Sequence, residues 1–246
     1  MERVMQPKDS DKIWDGDVVS DKQYFSHKFN ANMEKLEAII GNDKQWIIDI
    51  GCGSGLPMLT FARKGYKVSL FDYSKKSIEI AKEHFTKAGI KPEEVFCQDI
   101  LKNTLESDRY DVAVSYGVIE HFYDDGKKFF IQEMYRVVKP GGIVVISQPN
   151  KACIPFTIMQ KITKLIGRWK VGFENDNNAE EVYRFLKELG FEDKQFKIMA
   201  YNMINGYFYV PILRNILQAL GKDTLENHMR EGKRGYCLLY TIRKPK

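Results

Sequence analysis

The chain reads as a doubly wound α/β domain built on a parallel sheet, and three observations point there. Short apolar runs alternate with helical repeats from residue 46 to residue 147, the rhythm of βαβ units. The first run, Trp46-Ile47-Ile48-Asp49-Ile50, breaks into Gly51-Cys52-Gly53-Ser54-Gly55. Glycines at alternate positions let the backbone take positive φ and let a ligand approach without Cβ contacts. The helix expected next opens with free N–H groups and a positive dipole end, which suits an anionic group. Acids then close the second and third runs, at Asp72 and Asp99, on the edge where open α/β sheets bind ligands.

Taken in order, residues 1–22 are polar and form an arm. Tyr24 to Ile40 reads as a helix with Phe29, Met33, Leu36, Ile39 and Ile40 on one side, stopped by Gly41-Asn42. Strand 1 is Trp46–Ile50, followed by the glycine loop and a helix ended by Gly65. Strand 2 is Lys67–Phe71. Ser74 is placed to cap the next helix, whose face carries Ile78, Ala81, Phe85 and Ala88 up to Gly89. Strand 3 is Glu94–Cys97 and strand 4 Asp111–Ser115. A helix with Phe129, Phe130, Met134 and Val137 is broken by Pro140-Gly141-Gly142 before strand 5, Ile143–Ser147. A helix over Ala179–Leu189, a strand near Phe196–Ala200 and a last strand over Tyr236–Ile242 complete the chain. The organisation is a single domain, 1–246: an N-terminal arm and helix over 1–42, a core over 43–150, and two inserts at about 151–175 and 201–234.

The 246 residues are enough for one well-buried α/β domain with an elaboration. The net charge of +5 is scattered in short clusters, so it points to a solvated surface and not to nucleic acid. Cys52, Cys97, Cys153 and Cys237 make no CxxC or zinc spacing. Cys52 and Cys97 are expected as small buried hydrophobes at strand ends. A reducing, cytoplasmic compartment fits this usage. The first residues lack an apolar core, so no signal peptide is expected. No apolar stretch nears the roughly 20 residues that span a bilayer.

A dinucleotide site would need G-x-G-x-x-G. Counted from Gly53, that third glycine falls on Leu56, and Gly55 comes one residue early. Asp72 lies about twenty residues past the glycine loop, where a carboxylate binds a ribose diol. Its bland alternative is a cap for the helix begun at Ser74. Asp99 could accept the exocyclic amine of adenine with Ile100 packed on the ring, or it could simply form the turn before Ile100.

These residues together resemble class I S-adenosylmethionine (SAM)-dependent methyltransferases, of the type 11/25 kind. Gly51-Cys52-Gly53-Ser54-Gly55 matches motif I. The run Tyr110-Asp-Val-Ala-Val-Ser-Tyr-Gly-Val-Ile-Glu-His-Phe122 looks like that family's strand 4 with its turn. Val138 to Ile146 looks like the entry to strand 5. The resemblance covers about Asp43 to Pro149. It implies a three-layer αβα sandwich on a seven-stranded sheet of order 3-2-1-4-5-7-6 with the last strand antiparallel. It implies SAM as cofactor and S-adenosylhomocysteine as product. Cofactor contacts then fall at Asp49, Gly51, Cys52, Gly53, Gly55, Asp72, Tyr73, Asp99, Ile100, Ser115 and Tyr116. Ser115, Tyr116 and Gly117 would border the methionine moiety through their backbone. An aromatic of the Tyr24, Phe25, His27 helix could cover the sulfonium or merely pack.

A sulfonium methyl moves by in-line displacement, so no triad is required. His121, beside Glu120 and just past strand 4, is the candidate general base, with local structure as its alternative. A related branch binds a metal in this turn. Here only Glu120 and His121 are present, Gly117 and Val118 cannot serve, and no metal is expected. The inserts are read first as core and lid over a small, partly apolar acceptor. A homodimer contact comes second, and a membrane-surface helix around Lys161, Lys164, Arg168 and Lys170 third. An RNA or protein methyltransferase is the main rival, weakened by Ser115-Tyr116-Gly117-Val118 where an N-P-P-Y tetrapeptide would stand. A non-catalytic SAM-binding protein is the other.

Overall fold

A computed structural model describes residues 27–41, 43, 45–169, 172–202, 211–222 and 230–246. The arm over 1–22, Tyr24, Phe25, the side chain of His27, Lys170 and the apolar run from Met203 to Val210 lie outside the described residues.

Seven strands make one mixed sheet: β1 (Trp46–Ile50), β2 (Lys67–Asp72), β3 (Glu94–Cys97), β4 (Tyr110–Tyr116), β5 (Val138–Pro149), β6 (Phe196–Tyr201) and β7 (Cys237–Arg243). Their order is β3-β2-β1-β4-β5-β7-β6. The β2–β3, β1–β2, β1–β4 and β4–β5 pairs are parallel, and β7 runs antiparallel to both β5 and β6. The order and the antiparallel last strand are those the resemblance implied.

The central strands are buried on both faces, as parallel sheets require. Alternation along each strand sorts the core into two clusters. Ile47, Val112, Val114, Ile143 and Val145 face one side, where α1 (His27–Ile40), α2 (Leu56–Arg63) and α3 (Lys75–Lys87) pack through Leu36, Phe61 and Phe85. Ile48, Ile50, Ala113, Val144 and Ile146 face the other, against Phe130 and Met134 of α4 (Asp124–Val137) and Leu186 of α6 (Ala179–Glu188). Capping holds the ends. Ser74 accepts from Ser77 N at 3.1 Å, as expected, and Asn178 with Glu181 forms a capping box on α6.

Three expectations need correction. Pro140-Gly141-Gly142 does not end a helix. The helix stops at Val137, β5 begins at Val138, and the triplet sits inside β5 where the register jumps from Tyr110↔Val138 to Val112↔Ile143. Gly142 is required at that irregularity, because a Cβ there would meet the carbonyl oxygen of Asp111 at 2.8 Å. Cys97 is exposed, since β3 is an edge strand with one open side, whereas Cys52 is buried as expected. The first insert forms α5 (Ile154–Leu165), which buries Phe156 and Gln160 but leaves Ile154, Ile158, Ile162 and Leu165 exposed. Spaced near i, i+4, that apolar stripe faces outward instead of joining the core. A further helix, α7 (Pro211–Ala219), likewise exposes Ile212, Leu213 and Ile216. Among the described residues no helix is long and apolar enough to cross a membrane.

Candidate active site

The carboxyl ends of β1, β2 and β3 meet the turn after β4 around a partly open cavity of about 50 Å³. Ile50, Gly51, Phe71, Asp72, Tyr73, Gln98, Ile100, Val118, His121, Phe122 and Phe130 line it.

Backbone hydrogen bonds shape the glycine loop. Gly51 N and Cys52 N both donate to Phe71 O, at 2.8 and 3.1 Å, which folds the end of β1 against β2. Gly51 takes φ 85° and its missing side chain admits Val118, whose Cγ2 lies 2.3 Å from where a Cβ would stand. The carboxylate of Asp72 braces the loop from the other strand. Its Oδ2 accepts from Gly53 N at 3.0 Å and its Oδ1 from Ser74 N at 2.9 Å. Asp72 therefore does support the start of α3, while also lining the cavity. Asp99 Oδ1 accepts from Leu101 N at 3.0 Å and opens the 3₁₀ turn Ile100–Lys102, while Ile100 lines the cavity.

Of the residues implied as cofactor contacts, Gly51, Asp72, Tyr73 and Ile100 line the cavity. Asp49, Cys52, Gly53, Gly55, Asp99, Ser115 and Tyr116 do not. Ser115 instead donates from Oγ to Ile50 O at 2.7 Å, tying β4 to β1. The hydroxyl of Tyr116 is buried without a hydrogen-bond partner, and so is Oδ1 of Asp49. Burial, reinforced by the Asp72 charge, raises Asp49 to about 8. The cavity also draws on Gln98, Val118, Phe122 and Phe130, which sequence reasoning did not single out. Phe130 read only as a core position of its helix.

His121 stands on the 3₁₀ turn Ile119–His121. Its Nδ1 is bonded to Phe173 O at 2.6 Å. A carbonyl only accepts, so Nδ1 carries the proton and the neutral ring keeps a lone pair on Nε2. Burial pushes the His121 pKa below its ordinary value, which favours that neutral form.

A strap over residues 173–177 from the first insert crosses this turn. Asn175 N donates to Glu120 O at 2.8 Å, and Lys127 Nζ holds both Asn175 O and Asn177 Oδ1. Gln160 Nε2 donates to Glu174 Oε2 at 2.7 Å and to Asp176 Oδ2 at 2.8 Å. Burial raises the carboxyls of Glu120, Glu174 (to about 7) and Asp176, and lowers Lys127 to about 8. Glu174 and Asp176 went unnoticed in the sequence because they lie far downstream of the turn they approach.

Residues 47–142 match the model of a methyltransferase domain family. The chain is 27% identical over 186 residues to the ubiquinone biosynthesis O-methyltransferase of Rickettsia prowazekii, covering 74% of this chain and 69% of that protein. It spans about two thirds of the length of such curated relatives. A SAM-dependent methyltransferase structure from Thermotoga maritima superposes with TM-score 0.62 at 17% identity, covering 91% of this chain and 93% of that one. The Haemonchus contortus phosphoethanolamine N-methyltransferase 2, in complex with phosphomonomethylethanolamine and S-adenosylhomocysteine, gives 0.64 at 18%, covering 99% and 61%. At such identities these structures share the fold.

Proposed function

Residues 47–142 are a class I SAM-dependent methyltransferase domain of the type 11/25 kind, and from that premise we propose that the chain methylates a small organic acceptor. The observation that carries this is the cavity itself. Its adenosine side is set by Gly51, Asp72, Tyr73 and Ile100, and the same cavity reaches His121 on the far side of the β4 turn. The residues suit the cofactor. Asp72 presents a carboxylate to the cavity for a ribose diol, and Phe71 and Ile100 offer apolar walls to a purine. When bound, SAM supplies a methyl group already activated on a sulfonium.

The chain's part is alignment, exclusion of water and handling of the acceptor proton. His121 is the residue assigned to that proton, through Nε2, with Phe173 O fixing the ring. The curated relatives carry names for O-methylation, so a hydroxyl is the acceptor group to test first. The test is mass spectrometry of a metabolite extract incubated with the protein and isotopically methyl-labelled SAM. Label on a small molecule supports the reading. Label on RNA or protein overturns the acceptor class, and no label overturns methyl transfer.

A further inference from the structure

Beside the cofactor cleft, Glu120, His121 and Glu174 each bring one donor atom within 4.8 Å of the other two. Two of them come from the turn after β4. The third comes from the strap, which is why the turn's sequence, with Gly117 and Val118 in it, offers too few ligands. An independent observation points into the same space. Glu120 is 2% exposed, and its Oε2 has no hydrogen-bond partner. A buried carboxylate oxygen without a donor is costly, and a bound ion is one of the few things that account for such an atom.

The surroundings are those of a prepared ligand set. Phe173 O holds Nδ1 of His121, the outer contact that orients a metal-binding imidazole and leaves its other nitrogen free. Gln160 holds one oxygen of Glu174, leaving the second. The strap that carries Glu174 is itself fixed at Asn175 N by Glu120 O and at Asn175 Nδ2 by Asp124. Lys127, the buried cation nearby, is engaged by Asn175 O and Asn177 Oδ1.

We propose that Glu120, His121 and Glu174 bind a divalent cation at the acceptor end of the cofactor cleft. One imidazole with two carboxylates and open positions suits Mn²⁺ or Zn²⁺, whereas Ca²⁺ favours six to eight oxygen ligands. The role of the ion rests on the methyltransferase reading: it would hold the acceptor oxygen and lower its pKa so that the proton leaves to solvent water, and the base role of His121 then applies only to the metal-free protein. Binding itself does not rest on that reading.

The test is titration of metal-stripped protein with Mn²⁺, followed by loss of the free-ion paramagnetic resonance signal, and with Zn²⁺ by calorimetry, both without SAM. One ion per chain is expected. Glu174→Gln and Glu120→Gln should each weaken binding roughly tenfold or more, as loss of an anionic ligand should. Asp125→Asn, on the exposed start of α4, should not. Circular dichroism checks folding, and Glu174→Gln on the surface strap keeps the test valid if Glu120→Gln misfolds. Absence of stoichiometric binding of both ions, or unchanged affinity in Glu174→Gln, overturns the site. Labelled product without metal binding would sink this proposal and leave the function standing, and metal binding without labelled product would do the reverse.

Discussion

The two halves of the sheet's carboxyl edge are built on different principles. On the β1–β3 side the groups are mostly backbone, and the main charged member is already braced: Asp72 holds Gly53 N and Ser74 N. On the β4 side, under the first insert, titratable side chains crowd together: Glu120, His121, Lys127, Glu174 and Asp176. The first half is a fixed cradle that one ligand fits. The second is a set of coupled protons and charges whose state depends on what enters. Such division places cofactor recognition in local turns and leaves the chemistry to long-range contacts.

The largest effect should come from breaking the second half. His121→Ala should lower turnover by ~10²–10⁴, the usual worth of a positioned proton acceptor. SAM affinity should stay within a few tenths of a kcal/mol, read by calorimetry. Whether Nε2 takes a proton or holds a cation, protonation removes its lone pair. Burial places that step below pH 6.5, so wild-type activity should fall as pH drops through the lowered value, and the variant should lack this limb. If SAM affinity and thermal stability fall together while the pH profile keeps its form, His121 belongs to the cradle and the comparison fails.

Asp72→Ala probes the first half. SAM affinity should weaken by ~1.5–3 kcal/mol for loss of a charge-assisted acceptor. Because the carboxylate also braces Gly53 and Ser74, Tm should drop as well. A lower Tm with unchanged affinity would reduce Asp72 to a brace.

Asp49→Asn sharpens the boundary between the halves. In the fold Asp49 titrates near 8, against 3.8 as the ordinary value. The folded state thus holds a proton that the unfolded chain releases, and stability is lost as pH rises from about 4 to 8. Asn removes that cost. The variant should be more stable than wild type by ~1–2 kcal/mol at pH 9 and equal to it at pH 4. The gain falls short of the full linkage value because a buried amide also lacks partners. Denaturant melts at the two pH values decide it.

The same contrast explains what could be read from the sequence. The glycine loop, Asp72 and the strand order were legible because βαβ units encode them in contiguous residues with set spacing. Asp72's support of the next helix was named only as the alternative to ligand binding, since a helix cap and a ligand acceptor demand the same residue in the same place. The Pro-Gly-Gly triplet misled because those residues mark a helix end and a strand irregularity alike, and only the partner β4 distinguishes them. Glu174 was invisible for a different reason. Its meaning depends on where a downstream strap lands, which no local period encodes. Ser115 and Tyr116 were expected to border the methionine moiety through their backbone; what the sequence did not show is the Ser115 side-chain bond to Ile50 O, which ties β4 to β1.

The smallest effect should come from the outer face of the insert. Phe156, on the inner face of α5, packs edge-on to Tyr236 at 5.0 Å and is buried. Ile158 and Leu165 are 51% and 88% exposed. Ile158→Ser and Leu165→Ser should each change stability by no more than about 0.5 kcal/mol, as exposed substitutions do. Helix propensity of Ser differs little from that of Ile, so the local helix should survive. Thermal melts at two protein concentrations, far apart, read the outcome. A Tm that drops by many degrees at both would mean that some part of this chain covers the stripe. A drop that grows with concentration would mean that a second copy does. An unchanged Tm at both concentrations would leave the outer face of α5 outside the core, and would confine the insert's structural work to Phe156, Gln160 and the strap they support.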